Sequence, residues 1–213
     1  TPGYGDVIVF EYPNNPQQLF VKRVGALPGD TIEVVGHRLV INGWIAPRCH
    51  VGPFREAEFF GDLYVEYLGS RAYFVAGAPE VPCSPNAPCK SGATCIEGAC
   101  GETTGAFLVP KNEVFVLGDN RDNSHDSRSW NEGRAGGLAF GRIVGKPLVV
   151  YFDVSSHPRG RWLAPVQGDP TLPVSFASLQ GSLTKCLASR PSVKDATPQI
   201  GRASCRERGE ISV

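Results

Sequence analysis

An eleven-residue polar stretch, Gly118–Arg128, concentrates the side chains of this sequence that are best suited to chemistry. It carries three aspartates, two arginines, two asparagines and two serines, and no apolar side chain. It directly follows Glu113–Leu117, an apolar run that predicts a buried strand. A polar loop at the end of a rigid strand is a frequent location for functional sites, although Asx-rich turns that only cap their own backbone have a similar composition. The two arginines favour a site, because guanidinium groups can fork onto neighbouring carboxylates and brace the loop.

A lysine inside an apolar run is the second candidate. Phe20–Val24 predicts a strand in which Lys22 is flanked by Val21 and Val24. A free lysine has a pKa of ~10.4 and is charged at neutral pH, but burial among apolar groups lowers that pKa by up to ~5 units. A buried Lys22 is therefore a candidate general base; the alternative is a surface lysine on an edge strand. Because side chains alternate along a strand, we expect Arg23 on the opposite face.

Three segments together resemble one protein family. Lys22–Asp30 reads Lys-Arg-Val-Gly-x-Leu-Pro-Gly-Asp, and Gly118–Arg128 reads Gly-Asp-Asn-Arg-Asp-Asn-Ser-x-Asp-Ser-Arg. Gly5–Phe10 adds a Gly-Asp followed by an apolar strand. These segments resemble the signature boxes of the type I signal peptidases, which are membrane-anchored serine proteases with a Ser-Lys dyad. The resemblance covers residues 5–152.

The resemblance implies a role for each matching side chain. Lys22 would be the general base, and Ser124 would hydrogen-bond its amine and fix its direction. Ser127 is the less favoured partner, because the match places the orienting serine at position 124. Supporting roles in holding the loop would fall to Arg23, Asp119, Arg121 and an Asp126–Arg128 ion pair. A Ser-Lys dyad implies no cofactor and no metal.

The nucleophile is where the sequence departs from the family pattern. The family carries it in a Ser-x-x-Pro box ahead of the Gly-Asp strand, but the first serine here is Ser70. The same box supplies oxyanion-stabilising groups. The sequence therefore predicts a fragment, truncated at its N-terminus and inactive as given, that lacks both the nucleophile and the N-terminal membrane helix. No apolar stretch is long enough to cross a bilayer.

The implied partners are the signal peptides of exported preproteins and, through the missing anchor, the membrane surface. An extended peptide would pair with the strand segment Gln18–Val21 by β-addition, with Phe20 and Val21 as candidate pocket walls. The implied location is the bacterial cytoplasmic membrane, with the active domain on its outer face. Formal net charge is zero, so nothing indicates a nucleic-acid partner.

Composition and turn signals predict an all-β protein. Gly and Pro number 25 and 18 of the 213 residues, which favours short strands and turns over long helices. We predict a signal-peptidase-like β core from residues 1–43 and 111–154, and an inserted Cys-rich β subdomain at 44–110. The predicted strands are Asp6–Tyr12, Phe20–Val24, Thr31–Val35, Arg38–Ile41, Leu63–Tyr67, Arg71–Ala76, Glu113–Leu117, Gly141–Val144 and Leu148–Phe152. The third and fourth are predicted to form a hairpin around Gly36, and the fifth and sixth another around Gly69.

Four cysteines in the predicted insertion are disulfide candidates: Cys83, Cys89, Cys95 and Cys100. Their C-x5-C-x5-C-x4-C spacing lacks the C-x2-4-C knuckles of zinc sites, so cross-links are favoured over a metal. Three pairings are possible and the sequence does not choose among them. Disulfides imply an oxidising compartment. Cys49 has no evident local partner, and Cys186 and Cys205 receive no role.

The C-terminal part is predicted to be an extension beyond the family core. Residues 155–213 lack family motifs, and Phe176–Ala188 is predicted to form a short helix. The last stretch, Gly201–Glu210, has no periodicity and resembles translated sequencing-adapter read-through, so it is excluded from the fold prediction.

Two other functions compete with the leading hypothesis. A self-cleaving repressor-type Ser-Lys protease would share the mechanism, but such proteins are cytoplasmic and the Cys-rich insertion argues against that compartment. The other is a non-catalytic β-domain whose disulfide-stapled module binds a partner. The sequence preceding Thr1 distinguishes them, because a membrane helix followed by Ser-x-x-Pro would identify the peptidase.

Overall fold

Short strands and tight turns make up most of the computed structural model, which describes residues 1–56, 59–90, 92–149 and 165–199. The all-β prediction is confirmed. The strands are β1 (Val7–Tyr12), β2 (Asn15–Ala26), β3 (Thr31–Val35), β4 (Arg38–Ile41), β5 (Trp44–Ile45), β6 (Arg48–Glu56), β7 (Phe59–Leu68), β8 (Arg71–Gly77), β9 (Val81–Pro82), β10 (Ala93–Ile96), β11 (Ala99–Glu102), β12 (Phe107–Leu108), β13 (Glu113–Leu117), β14 (Leu138–Ala139) and β15 (Ile143–Gly145). The helices are α1 (Trp130–Gly133) and α2 (Gln180–Ala188), with 3₁₀ turns at Phe140–Arg142 and Val174–Leu179.

Strands from both ends of the family-like region build one antiparallel sheet. Its order is β14-β13-β2-β1-β15, with β2 at the centre. β2 pairs with β1 along most of its length and with β13 only at its far end, from Leu117↔Arg23 to Phe115↔Ala26. This register places Lys22 next to the end of β13, where the polar loop begins.

The buried faces of β13 explain why it reads as a continuous apolar run. Val114 and Val116 pack in one cluster with Phe10 and Trp130, while Phe115 and Leu117 pack in another with residues of β3 and β4. A strand covered on both faces needs apolar side chains at every position. The strand that ends at the polar loop is thus held rigidly.

Three further sheets, among the described residues, come mainly from the predicted insertion: β12-β3-β4-β5, β6-β7-β8 and β10-β11-β9. The predicted hairpins around Gly36 and Gly69 are present as β3–β4 and β7–β8. Because β12 and β5 pair with the β3–β4 hairpin, one sheet contains residues from both sides of the predicted domain boundary. The domain division remains a prediction.

Several element predictions need correction. β2 is twelve residues long rather than five, and β6 was not foreseen. The first half of the predicted strand Gly141–Val144 is a 3₁₀ turn and its second half belongs to β15, while most of Leu148–Phe152 lies outside the described residues. The predicted helix begins four residues later, since α2 spans Gln180–Ala188. The segment resembling adapter read-through also lies outside the described residues.

The cysteines form three disulfides in the described residues. Within the insertion, Cys83 pairs with Cys95 and Cys89 with Cys100, which selects one of the three possible connectivities. The sulfur atoms of three of these cysteines lie within 4.8 Å of one another, but disulfide sulfurs are not thiolate ligands for a metal. The third bond joins two cysteines that the sequence left unassigned, Cys49 and Cys186.

The third disulfide attaches the C-terminal extension to the β6–β7 hairpin. Leu183 and Cys186 of α2 are buried against Val51 and Val65, and Tyr67 Oη donates a hydrogen bond of 2.6 Å to the carbonyl of Cys186. Residues 179–196 of the extension are therefore packed onto the rest of the protein. None of the helices in the described part of the chain combines the length and the hydropathy needed to cross a bilayer.

We expect peptide mapping under non-reducing conditions to recover the three linked pairs 49–186, 83–95 and 89–100. Replacing Cys186 with serine should lower the free energy of unfolding by about 2–4 kcal/mol, because the bond closes a very long loop. Urea unfolding of the variant against the parent measures the loss. Recovery of Cys89 linked to Cys95, or an unchanged unfolding midpoint, would contradict the arrangement.

Candidate active site

The two candidate catalytic side chains, which are 102 positions apart in the sequence, meet at the end of β13. Lys22 Nζ donates a hydrogen bond of 2.8 Å to Ser124 Oγ. Lys22 comes from β2, and Ser124 comes from the polar loop that follows β13. The contact depends on the register of these two strands and on the turn that folds the loop back over Gly118.

Gly118 is the residue that permits this contact. A Cβ atom at position 118 would overlap Ser124 Oγ and would lie 3.5 Å from Lys22 Nζ. Its backbone N–H also donates to Asp126 Oδ2 at 2.9 Å. A side chain at this position would displace Ser124, so the glycine is required by close approach rather than by a positive φ.

Lys22 has the electrostatic environment that a lysine base needs. Burial lowers the pKa of its ammonium group, and the positive charge of Arg128 lowers it further. The carboxylates of Asp126 and Asp119 raise the pKa, but the net effect is a lowering. The side chain is half-buried, with Nζ 5.8 Å from the centre of the Phe20 ring. The neutral form of the amine is therefore populated at a lower pH than in a free lysine.

Asp126 holds the loop in its folded-back shape. Its carboxylate is fully buried and accepts two hydrogen bonds from Arg128, from Nε at 2.9 Å and from Nη2 at 2.8 Å. Burial alone would raise the pKa of Asp126, but the bonds from Arg128 and from the Gly118 N–H hold it below its usual value. Ser127 is buried and accepts a bond from the Val116 N–H at 3.0 Å, so it fastens the loop to β13.

Arg121 anchors the polar loop to a neighbouring strand, and it does not pair with a carboxylate of its own loop. Its guanidinium reaches Glu66 of β7 at 2.5 Å, and both side chains are almost completely buried. Tyr73 donates a second bond to Glu66 at 2.7 Å, and Arg121 also donates to the carbonyl of His37 at 2.8 Å. Burial of Arg121 would lower its pKa, but the charge of Glu66 holds it above its ordinary value.

Asp119 pairs with Arg23 and not with Arg121. The Arg23 Nε and Nη2 atoms donate to the two carboxylate oxygens of Asp119 at 2.8 and 2.7 Å, and Nη1 donates to the carbonyl of Gly5 at 2.8 Å. The Arg23 guanidinium lies over the Tyr73 ring, 3.9 Å from its centre. The side chain thus packs away from the Lys22 amine, which is what strand alternation predicts.

Several residues that complete this region were not predicted from the sequence. Glu66 and Tyr73 are essential partners of the loop, and the only signal was an acidic residue within an apolar strand, which requires a buried cation. His125 was not assigned either: its Nε2 atom lies 2.8 Å from Tyr12 Oη and its Nδ1 atom 2.9 Å from Ser129 Oγ. No local pattern indicated that contact.

A cavity of about 210 Å³ opens beside the Lys22–Ser124 pair. Val21 and Asp119 contribute to its lining, and Val21 is 56% exposed. Of the two predicted pocket walls, only Val21 takes part. Phe20 lies on the same face of β2 as Lys22, but its ring is stacked on Tyr12, with ring centroids 4.6 Å apart, and it does not line the cavity.

Comparison with known proteins relates the chain to one family. Residues 1–152 match the family described as signal peptidase, peptidase S26. Signal peptidase I of Pseudomonas aeruginosa is 33% identical over 158 residues, covering 70% of this chain and 49% of that protein. The Aquifex aeolicus signal peptidase I is 32% identical over 171 residues, covering 71% of this chain and 63% of that protein.

A solved signal peptidase I from Enterococcus faecalis is 25% identical, with 69% of this chain and 97% of that chain covered and a TM-score of 0.38. The chain spans about half the length of several curated relatives that it matches.

The Arg121→Met variant tests the buried ion pair. It should lose about 3–5 kcal/mol of unfolding free energy, because Glu66 is left buried without its cation. The double variant Arg121→Met, Glu66→Met should be more stable than the single one, since no charge remains buried. Urea unfolding measures both. Equal stabilities of the Arg121→Met variant and the parent would mean that the pair does not brace the loop.

Proposed function

The chain belongs to the signal peptidase family, peptidase S26, and we propose that it is the catalytic β core of a type I signal peptidase, which cleaves signal peptides from exported preproteins. The observation that carries this proposal is the 2.8 Å hydrogen bond between Lys22 and Ser124, formed by a lysine whose pKa burial lowers. A Ser-Lys protease needs such an amine, because its neutral form must take a proton from the nucleophilic serine.

In this mechanism Lys22 is the general base and Ser124 directs it. The Ser124 hydroxyl accepts a bond from the lysine Nζ and limits the positions that the amine can take. Asp126, Arg128 and Gly118 hold Ser124 in place through the folded-back loop. The serine nucleophile would approach the amine from the cavity beside the pair and give up its proton as it attacks the scissile carbonyl.

We assign the nucleophile to a segment outside these 213 residues. No serine occurs before Ser70, and no Ser-x-x-Pro motif precedes Lys22. The curated relatives are longer than the part that this chain matches, and we propose that the nucleophile lies in a further segment of the whole protein. By this proposal the 213 residues alone do not cleave substrate, because the base has no hydroxyl to activate.

The free edge of β2 is the proposed substrate-binding strand. β1 occupies one edge of β2, while β13 occupies the other only from Arg23 onward. Among the described strands, none pairs with Gln18–Val21 on that side. An extended peptide added there would run past the Lys22 amine, and its main chain would satisfy the unpaired groups of β2.

We place the domain on the outer face of the bacterial cytoplasmic membrane. Three disulfides support an oxidising compartment. Zero net charge gives no reason to expect a nucleic-acid partner.

The experiment that tests the function uses the full-length protein from the reading frame that contains this chain. Lys22→Ala should reduce cleavage of a test preprotein by at least about 10³-fold, because it removes the amine that Ser124 directs. Ser124→Ala should cost about 10- to 100-fold, since the amine is present but less well directed. Lys194→Ala, an exposed lysine of the extension, is the matched control.

Retained cleavage in the Lys22→Ala variant would reject the proposed dyad. A natural full-length protein that contains no serine ahead of Lys22 would reject the peptidase itself. It would then favour the alternative, a β-domain that binds a partner through its disulfide-stapled module.

A pH profile tests the protonation state of Lys22. The value of kcat/KM should rise with pH as the amine loses its proton, with a midpoint below ~10.5 because burial lowers the pKa. Asp126→Asn should move the midpoint to lower pH, because loss of a neighbouring negative charge disfavours the ammonium. Asp195→Asn, an exposed carboxylate of the extension, should leave it unchanged. A midpoint shift to higher pH in Asp126→Asn would contradict the assignment.

A further inference from the structure

A second cavity adjoins the face of β2 that carries Val21 and Arg23, which strand alternation places opposite to the face of Lys22. Its volume is about 300 Å³, and its walls come from β1 and β2, from Tyr73 and Phe74 of β8, and from residues 165–171 of the C-terminal extension. The two cavities share four lining residues: Val7, Val21, Arg23 and Asp119. They are therefore neighbouring compartments that meet at Val7 of β1 and at Val21 and Arg23 of β2.

The wall that residues 165–171 contribute is held to the sheet by the side-chain amide of Gln167. Gln167 Oε1 accepts a bond from the Val7 N–H at 3.1 Å, and Gln167 Nε2 donates to the Val7 carbonyl at 2.9 Å. β15 pairs with β1 at Val9 and Phe10 only. The Gln167 side chain thus takes the place of a paired strand at Val7 and keeps the wall in register with the sheet.

Further contacts hold the same segment at both ends. The Val166 N–H donates to the Leu148 carbonyl at 3.0 Å, and Arg71 donates to the carbonyl of Gln167 at 2.9 Å. Asp169 accepts a 2.9 Å bond from Arg190, which follows α2. α2 is itself joined to β6 by the Cys49–Cys186 bond, so the wall is a built part of the domain.

We propose that this second cavity is a side-chain subsite for the substrate peptide, with the C-terminal extension as its outer wall. The inference rests on the proposed function, because it requires a peptide along the free edge of β2. Side chains of an extended peptide alternate between the two faces of the sheet. If one substrate residue faces Lys22, its two neighbours face Val21 and the second cavity.

The lining indicates which side chains this subsite takes. Val7, Val21 and Phe74 provide an apolar lining, while Asp119 and Asp169 are carboxylates with about half of each side chain exposed. Arg23 already occupies both oxygens of Asp119, whereas Arg190 bonds Oδ1 of Asp169. A long side chain with an apolar stem and a basic head, that is lysine or arginine, fits this combination.

The test is a position scan with full-length protein. Peptides that span a signal-peptide cleavage site receive lysine or glutamate at each position in turn. Fluorescence anisotropy then measures their binding to the Lys22→Ala protein, so that cleavage does not interfere. We expect lysine to be preferred over glutamate by about two- to fivefold at the two positions that flank the residue facing Lys22, the range for a partly exposed charge pair.

Two variants in the wall, each with a control, connect this preference to the cavity. Asp169→Asn should abolish the lysine preference, and Gln167→Ala should reduce it at the same positions by releasing the wall. Asp195→Asn and Gln199→Ala, exposed residues of the same extension, should leave it unchanged.

Three results would overturn the subsite: no binding of any peptide, a preference without the two-residue period, or a preference that Asp169→Asn and Gln167→Ala leave intact. The proposed function fails by a different result, namely cleavage by the Lys22→Ala protein. Peptides that are cleaved in a Lys22-dependent manner, without a wall-dependent preference, would reject the subsite alone.

Discussion

The buried ion pair between Arg121 and Glu66 is the interaction on which the rest of the site depends. Two charges removed from water lose several kcal/mol of solvation each, so the pair is stable only where other bonds complete it. Tyr73 and the carbonyl of His37 provide those bonds. The requirement for these partners fixes the polar loop against β7, β8 and the β3–β4 turn at once. The position of Ser124 follows from that constraint, since it lies three residues after Arg121.

The charges around Lys22 are arranged so that its amine is tuned without being left unpaired. A lysine buried far from any carboxylate would lose its proton easily but would destabilise the fold whenever charged. Here the negative charge of Asp126 raises the pKa of Lys22 and so opposes the effect of burial. Arg128 in turn pairs with the Asp126 carboxylate through two hydrogen bonds. Arg23 stays bound to Asp119 on the other face of β2. In the proposed mechanism, the pKa of the base is therefore set by residues that also hold the loop.

Local patterns in the sequence predicted the local features of the structure and missed the long-range ones. The strand before the polar loop and the hairpins at Gly36 and Gly69 follow from apolar runs and turn formers. The Lys22–Ser124 contact was expected only through the family resemblance, because the two residues are 102 positions apart. The Cys49–Cys186 bond, 137 positions long, has no local signature at all. Glu66 was missed for the same reason: its cation comes from another part of the chain.

In the proposed function, catalysis and the selection of substrate side chains belong to different parts of the chain. The proposed dyad and its loop lie within residues 1–152, which match the family, whereas residues 165–171 form a wall on the opposite face of the same strand. Because alternate side chains of an extended peptide face opposite sides of a sheet, the two faces contact different parts of the chain. By the proposed subsite, changes in residues 165–171 alter which peptides bind, whereas the Lys22–Ser124 contact lies outside that segment. The Gln167 contact with Val7 makes this possible, since it ties the wall to β1 through a side chain and leaves the pairing of β2 unchanged.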